Sequence, residues 1–466
     1  MLRTSILLFF LLIGIGAILL TMNSCGVDPG NHILAGKFQH VVIIFQENRT
    51  PDNLFHDPAL IKAGADIAIN GVNSKGQSVP LQSAPLATTY DMNHSHMAFT
   101  QMYNNGKMNG AGICSGLGCP SPQAYIEYVR ESDVQPYFRM AEQYAFGDRM
   151  FQTNQGPSFP AHQFIISGSS APTASSASFL AENPENTAVP RAGCIAPPGE
   201  SVGVIDAKGR ESLMFPCTEH PTLTDELNKE VISWKYYTPS AGSIWTAPNA
   251  IEHMCGPNAS PPHATACVGS DWKQHVVLYS KQNPAPILTD IANSQLPAVS
   301  WVIPAGQNSD HAGGSYAEPN NGGPSWVASI VNAIGNSQYW ANTAIVVTWD
   351  DWGGWYDHVP PFKMVNDGVS WGSGYVYGFR VPLIVISPYA RPSYISHVNH
   401  DFGSILHMVE ENFGLPSLGY ADSYADDLSD CFNFHQQPLA FQTIDAPLKA
   451  DHFLHDTTPP TDPDDD

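Results

Sequence analysis

The sequence predicts an α/β fold built on a mainly parallel sheet covered on both faces. Short runs rich in Val, Ile and aromatic residues recur along the chain, and amphipathic helical patterns fall between several of them. Pro and Gly, 39 and 38 in number, are spread through the chain without an internal repeat, which argues for one domain with long excursions. Buried strands separated by helices are the pattern of parallel crossover units, whose helices lie on the faces of the sheet.

Taken in order, strands are expected over 40–45, 164–167, 232–237, 298–303, 344–348 and 383–387, as apolar runs that read as buried. Val327, Ile330, Val331 and Ile334 form one helical stripe, and Phe402, Ile405, Leu406, Val409 and Phe413 form another. Asp401 is placed to cap the start of the second helix and Gly414 to stop it. The domain is expected over 38–445, with insertions near 61–89, 170–220 and 240–280 that would cap a site at the strand ends. The end, 456–466, finishing in TTPPTDPDDD, cannot bury surface and reads as a disordered acidic tail.

A chain of 466 residues with 43% hydrophobic content can build a sizeable core. Its 43 acidic and 20 basic residues leave a formal charge of -23, which repels nucleic acid and anionic membrane surfaces. A phosphate ester could be bound only if positive charge is supplied locally, by a metal or by converging Arg and His side chains.

Arg3 precedes an apolar run over 6–20, too short for a comfortable membrane span and suited to a signal-peptide core, so 1–25 is read as an export signal. Cys25 after TMNS resembles a bacterial lipoprotein cleavage site; an ordinary secretory signal or an uncleaved anchor are the competing readings. The expected location is exported: periplasmic, anchored to the outer membrane through a lipidated Cys25, or secreted. In that setting Cys114 with Cys119, Cys194 with Cys217 and Cys255 with Cys267 read as short-range disulfides, and Cys431 is left over. No cysteine pair shows the spacing typical of a zinc site.

Chemistry gathers at strand ends. The run VVIIF breaks off into QENRT, so Glu47 and Asn48 leave the first strand together, and AIVVTW runs into Asp350 and Asp351 followed by two glycines. Each pair alone could cap a turn. Two such clusters together would make a hard divalent-cation site, because adjacent carboxylates repel unless a cation lies between them. Ser158, in NQGPSFP, is presented by a rigid turn, but outside the Gly-x-Ser-x-Gly pattern of a serine triad; a metal is the other means of activating its hydroxyl. His94, His96, His311, His358 and His397 lie in loops and could protonate a leaving group or hold phosphate oxygens. Arg49 either pairs with a nearby carboxylate or binds phosphate.

The stretches QENRTPDNLF, NQGPSFP, SDH, TWDDWGGWYDHVPP and RVPLIVISPYARPSYISHVNHDFGSILHMVEENFGLPSL resemble, in the same order over about 38–435, the bacterial phosphoesterase family of phosphocholine-type phospholipases C and a secreted acid phosphatase, within the alkaline-phosphatase-like superfamily. The resemblance implies a three-layer α/β/α sandwich with its site at the carboxyl ends of the strands. It implies one metal ion held by Glu47, Asn48, Asp350 and Asp351, with Ser158 as both nucleophile and ligand. The phospholipase members usually carry a threonine in Gly-Pro-Thr-His-Pro-Asn, whereas here Ser158 is followed by Phe159 and Ala161 replaces the asparagine. Serine resembles the acid-phosphatase branch.

The expectation is therefore an exported, metal-dependent phosphoesterase that hydrolyses phosphate monoesters through a phosphoseryl intermediate, with His94, His311 and His358 stabilising the phosphoryl group or protonating the leaving oxygen. Phospholipase C-type cleavage of phosphocholine lipids is the alternative within enzymes. A catalytically silent surface-binding protein is the alternative outside them, and no Cys-x-Pro-x-Arg stretch suggests a sulfatase.

Overall fold

Residues 41–45 are wholly buried because they form a central strand with partners on both sides and layers above and below. A computed structural model describes residues 33–88, 90–110, 126–184, 191–206, 208–313, 322–362 and 377–461. The expected export signal with Cys25, the Cys114 and Cys119 pair and the last residues of the tail lie outside them.

The main sheet uses β1 (His40–Gln46), β2 (Ala145–Phe151), β3 (Trp234–Thr238), β4 (Val276–Leu278), β5 (Val299–Val302), β6 (Thr343–Trp349), β7 (Arg380–Ile386), β8 (Tyr394–Ser396) and β9 (His400–Asp401). Their spatial order is β4-β3-β5-β1-β6-β7-β2-β8, with β9 also on β2. Neighbours pair in parallel except at β7, which runs antiparallel to both β6 and β2. The sheet is thus mainly parallel, as expected, and helices cover both of its sides.

The principal helices are α1 (Glu131–Gln143), α2 (Ser158–Ser167), α3 (Gly322–Gly335) and α4 (Phe402–Phe413). α1 packs with α3, and α2 packs with α4. The predicted cap of α4 is present: Ser404 N donates to the Asp401 side chain, and Gly414 closes the helix at φ 68. One expected strand is wrong. Residues 164–167 form the C-terminal end of α2, not a strand. Every residue of α2 is buried, so its apolar run shows no helical alternation and is indistinguishable from a buried strand by pattern.

β2, reading AFGDRMF, gives little sequence signal because a Gly, an Asp and an Arg interrupt it. The excursion near 170–220 folds into an antiparallel sheet of Ser178–Pro184, Val202–Asp206 and Glu211–Met214, whose first strand packs on α2. The excursion near 240–280 returns to the main sheet, because β4 pairs with β3. Disulfides join Cys194 to Cys217 and Cys255 to Cys267, and Cys431 is buried as a free thiol. Of the expected solvated tail, Thr461 is instead tied down: its N and Oγ1 donate to Gln307 Oε1 at 3.1 and 2.9 Å. Among the described residues, no helix is long and apolar enough to cross a membrane.

Candidate active site

β1 and β6 are neighbours in register, with Gln46 opposite Trp349. Glu47 and Asn48 therefore emerge at the same level as Asp350 and Asp351. Asp350 N donates to Gln46 O at 3.0 Å, which carries the ladder into the site. Asn48 takes a left-handed conformation, φ 62, that asparagine tolerates better than most residues. Gly353 lies against it, and a Cβ there would stand 2.4 Å from Asn48 O, so the glycine is needed for the close approach.

Backbone donors orient the two aspartates. Asn48 N and Asp351 N donate to Asp350 Oδ1 at 3.1 and 2.8 Å, and Gly353 N donates to Asp351 Oδ1 at 2.6 Å. The other oxygen of each turns inward. Asp350 Oδ2 is buried with no hydrogen-bond partner, and Asp351 Oδ2 lies 3.2 Å from Ser158 Oγ.

Ser158 reaches this point from β2 through a folded loop. Gln152 Nε2 and Asn154 Nδ2 both donate to Gly156 O, and Gly156 abuts Ala181 O so closely that a Cβ would stand 2.1 Å away. Ser158 is the first residue of α2, so the positive end of the helix dipole faces the same space. Its Oγ lies 3.4 Å from Glu47 Oε2 and 3.5 Å from Asn48 Oδ1 as well as 3.2 Å from Asp351. One hydroxyl proton can serve only one of these oxygens.

Glu47, Asn48, Ser158, Asp350 and Asp351 are all fully buried. Three carboxylates buried together, two of them beside one hydroxyl, cost more than they gain unless a cation joins them. Oxygen separations of about 3–3.5 Å are those of ligands around an ion held at about 2.1–2.5 Å. The donor set fits a divalent metal ion.

The structure adds a residue that sequence reasoning missed. His162 lies one helical turn after Ser158, on the same face of α2. Its Nε2 is 3.3 Å from Glu47 Oε1 and 3.7 Å from Asp350 Oδ2, making Glu47, His162 and Asp350 a group able to hold an ion. The four-residue spacing from Ser158 is the available signal, masked because the apolar run over 164–167 has the pattern of a strand.

Of the expected histidines, His94 and His311 reach the site. His94 Nδ1 pairs with Met92 O at 2.7 Å, which leaves Nε2 to accept from Asn48 Nδ2 at 3.2 Å. That contact turns the Asn48 carbonyl oxygen toward Ser158. His311 is held through Nδ1 by Ala312 O at 2.6 Å, and its ring lies 5.9 Å from that of His94.

His358 is elsewhere. Its Nδ1 is 2.8 Å from Asp52 Oδ2 and its Nε2 is 3.0 Å from Asp66 Oδ1, so both ring nitrogens are held by carboxylates. Arg380, buried, bridges the same group through Asp52 and Asp357. The turn after Gly354 carries His358 away from the aspartates that precede it, and adjacency in sequence was a false guide. His397 pairs with Asp148, and His96 Nδ1 pairs with Gln155 O.

Arg49 is buried, and among the described residues its guanidinium donates to backbone carbonyls and to Asn53 Oδ1. Its Nε and Nη2 donate to Asp310 O at 2.9 and 2.7 Å, Nη2 also reaches Leu86 O, and the guanidinium covers the Trp355 ring. It braces the SDH segment that carries His311. Glu182, from the inserted sheet, accepts from His96 N, and burial raises its carboxyl to about 7 against that hydrogen bond. Nothing in the sequence singled it out.

The elements above define a class: an α/β fold whose adjacent strand ends gather oxygen donors fit for a cation beside a helix-borne serine. The profile of the phosphoesterase family matches residues 38–416, and the chain belongs to that family. It is 24% identical over 438 residues to the non-hemolytic phospholipase C of Pseudomonas aeruginosa, covering 85% of this chain and 57% of that protein. It is 35% identical over 178 residues to phospholipase C B of Mycobacterium tuberculosis, covering 33% of each. The chain thus spans little more than half the length of the Pseudomonas relative. A solved protein of the alkaline phosphatase superfamily from Vibrio parahaemolyticus aligns over 88% of this chain and 72% of its own at 12% identity, with a TM-score of 0.35. Likeness at that level adds nothing to the assignment.

Proposed function

We propose that this chain is an exported, metal-dependent phosphoesterase that hydrolyses phosphate monoesters through a phosphoseryl intermediate. The observation that carries the reading is the convergence of Asp351, Glu47 and Asn48 oxygens on Ser158 Oγ at 3.2, 3.4 and 3.5 Å. When bound by Glu47, Asn48, Ser158, Asp350 and Asp351, with His162, a divalent ion lowers the pKa of the serine hydroxyl and offsets the phosphate charge.

Ser158 Oγ attacks phosphorus while its proton leaves toward Asp351 Oδ2, the nearest acceptor. The bond from phosphorus to the alcohol oxygen breaks, and His311 protonates that oxygen from Nε2. Water then attacks phosphorus and returns a proton to His311, the bond to Oγ breaks, the serine recovers its proton from Asp351 and inorganic phosphate leaves. His94 holds the Asn48 amide in its working orientation throughout. Export rests on the apolar run over 6–20 and agrees with the two disulfides.

The relatives favour a second reading, since the Pseudomonas and Mycobacterium proteins are named phospholipases C. The chemistry at Ser158 would be the same, with a diester in place of a monoester. Turnover of a chromogenic phosphomonoester and of its phosphocholine diester, each with and without chelator, separates the two. Monoester turnover lost on chelation supports the proposal; preferential diester turnover moves the assignment to phospholipase C. Failure on both, with metal bound, leaves the silent binding protein.

A further inference from the structure

Cys431 has no disulfide partner among the described residues, and the proposed reaction does not use it. It lies at the edge of the main sheet beside β8 and β9, among side chains of a different kind from those around Ser158. His400 is fully buried, and its Nδ1 is 2.8 Å from Asp426 Oδ1. That carboxylate is itself fixed: Ser404 Oγ donates to Oδ1 at 2.6 Å and Leu428 N donates to Oδ2 at 3.0 Å. With Nδ1 occupied, His400 Nε2 faces Asp430 Oδ1 at 3.8 Å, and Cys431 Sγ lies 3.7 Å from the same oxygen. Ser396 Oγ stands between, 2.9 Å from Nε2 and 2.5 Å from Asp430 Oδ2.

We infer that His400 Nε2, Asp430 Oδ1 and Cys431 Sγ form a second metal site, suited to a zinc-like ion, with Asp426 as the outer carboxylate that orients the histidine. Their ligand atoms lie within 4.8 Å of one another. Tetrahedral zinc, with Zn–N of about 2.0 Å and Zn–S of about 2.3 Å, sets ligand atoms roughly 3.3–3.7 Å apart, so only a small contraction is needed. A carboxylate on the far nitrogen of a histidine is the usual support of a ligating imidazole. The mixed nitrogen, oxygen and sulfur set differs from the oxygen-rich cradle at Ser158 and selects a softer ion. Ser396 Oγ is placed to be the fourth ligand or to hold a water in that position.

Such an ion would fasten the turn from Asp426 to Cys431 to the sheet edge. The competing arrangement is an imidazolium paired with Asp426 and Asp430, which needs no thiol and no ion. The two arrangements carry the same net charge, because an ion displaces the protons of the imidazole and the thiol; what separates them is Cys431 Sγ, 3.7 Å from Asp430 Oδ1, which only the ion arrangement employs.

The test uses the full chain, stripped of metal and reloaded with cobalt(II) or zinc. The unsubstituted chain should show a thiolate-to-cobalt charge-transfer band, and Cys431→Ser should lack it while keeping its esterase rate within about twofold. Zinc content should fall by one ion per chain in Cys431→Ser and in His400→Gln. The cobalt spectrum of the unsubstituted chain stands whether or not either variant folds. A chain with no such band, or a band and zinc content that persist in Cys431→Ser, would overturn the site.

Discussion

Ser158 Oγ and Asp351 Oδ2 stand 3.2 Å apart across 193 residues of chain. The hydroxyl arrives at the first residue of α2 and the carboxylate at the end of β6, so rigid elements rather than a flexible loop set the separation. Ser158→Ala should therefore lower ester turnover on the order of 10³-fold or more, because no neighbouring group can replace the nucleophile. Acid quenching during turnover of a radiolabelled phosphate ester should leave label on the wild-type chain and none on the variant. Label retained by the variant would place the covalent step on another residue.

His162 contacts Glu47 and Asp350 from one turn further along α2. His162→Ala should weaken metal binding by about 10–100-fold. Competition against a chelator measures this directly, without reference to activity. Unchanged affinity would show that His162 only packs beneath the cradle.

His94 acts through Asn48. His94→Ala should lower kcat by about 10–100-fold with little change in KM, because the Asn48 amide is then free to rotate away from Ser158. His94→Gln should restore part of the rate, since its side-chain oxygen can accept from the same Nδ2. Were the substitution to remove a limb of the pH profile instead, His94 would be the proton donor.

His358 governs a pH dependence of stability rather than of chemistry. Burial alone lowers its pKa; the hydrogen bond and charge of Asp52 and the charge of Asp357 overcome this, against Arg380, and raise it to about 9. A folded value above the unfolded one, about 6.5, means that the stabilisation is complete below about 6.5 and is lost as pH rises through about 9. The Tm of the wild type should fall across that window more steeply than the Tm of His358→Gln. Parallel curves would remove His358 from the account.

Much of the site was legible because strand ends are local events. Glu47 with Asn48, and Asp350 with Asp351, follow apolar runs that read as buried strands, and although each pair alone could cap a turn, the two together point to a cation. The pairing of β1 with β6, which makes the two clusters one, is a contact across about 300 residues and leaves no mark on either stretch.

The same contrast separates the histidines. The residue types and spacing of the SDH and DMNHSH segments marked His311 and His94 as candidates, yet His358, equally well placed in sequence, faces Asp52 and Asp66. Local pattern determined the α/β class, the main strands around the site, the cap of α4 and the two oxygen-rich clusters at strand ends. Tertiary structure alone decided the helical end of α2, the antiparallel run of β7, the arrival of His162 and the meeting of Cys431 with His400. The physical reason is that periodicity reports which residues are buried, whereas the identity of a buried residue's neighbours depends on how distant strands and helices pack.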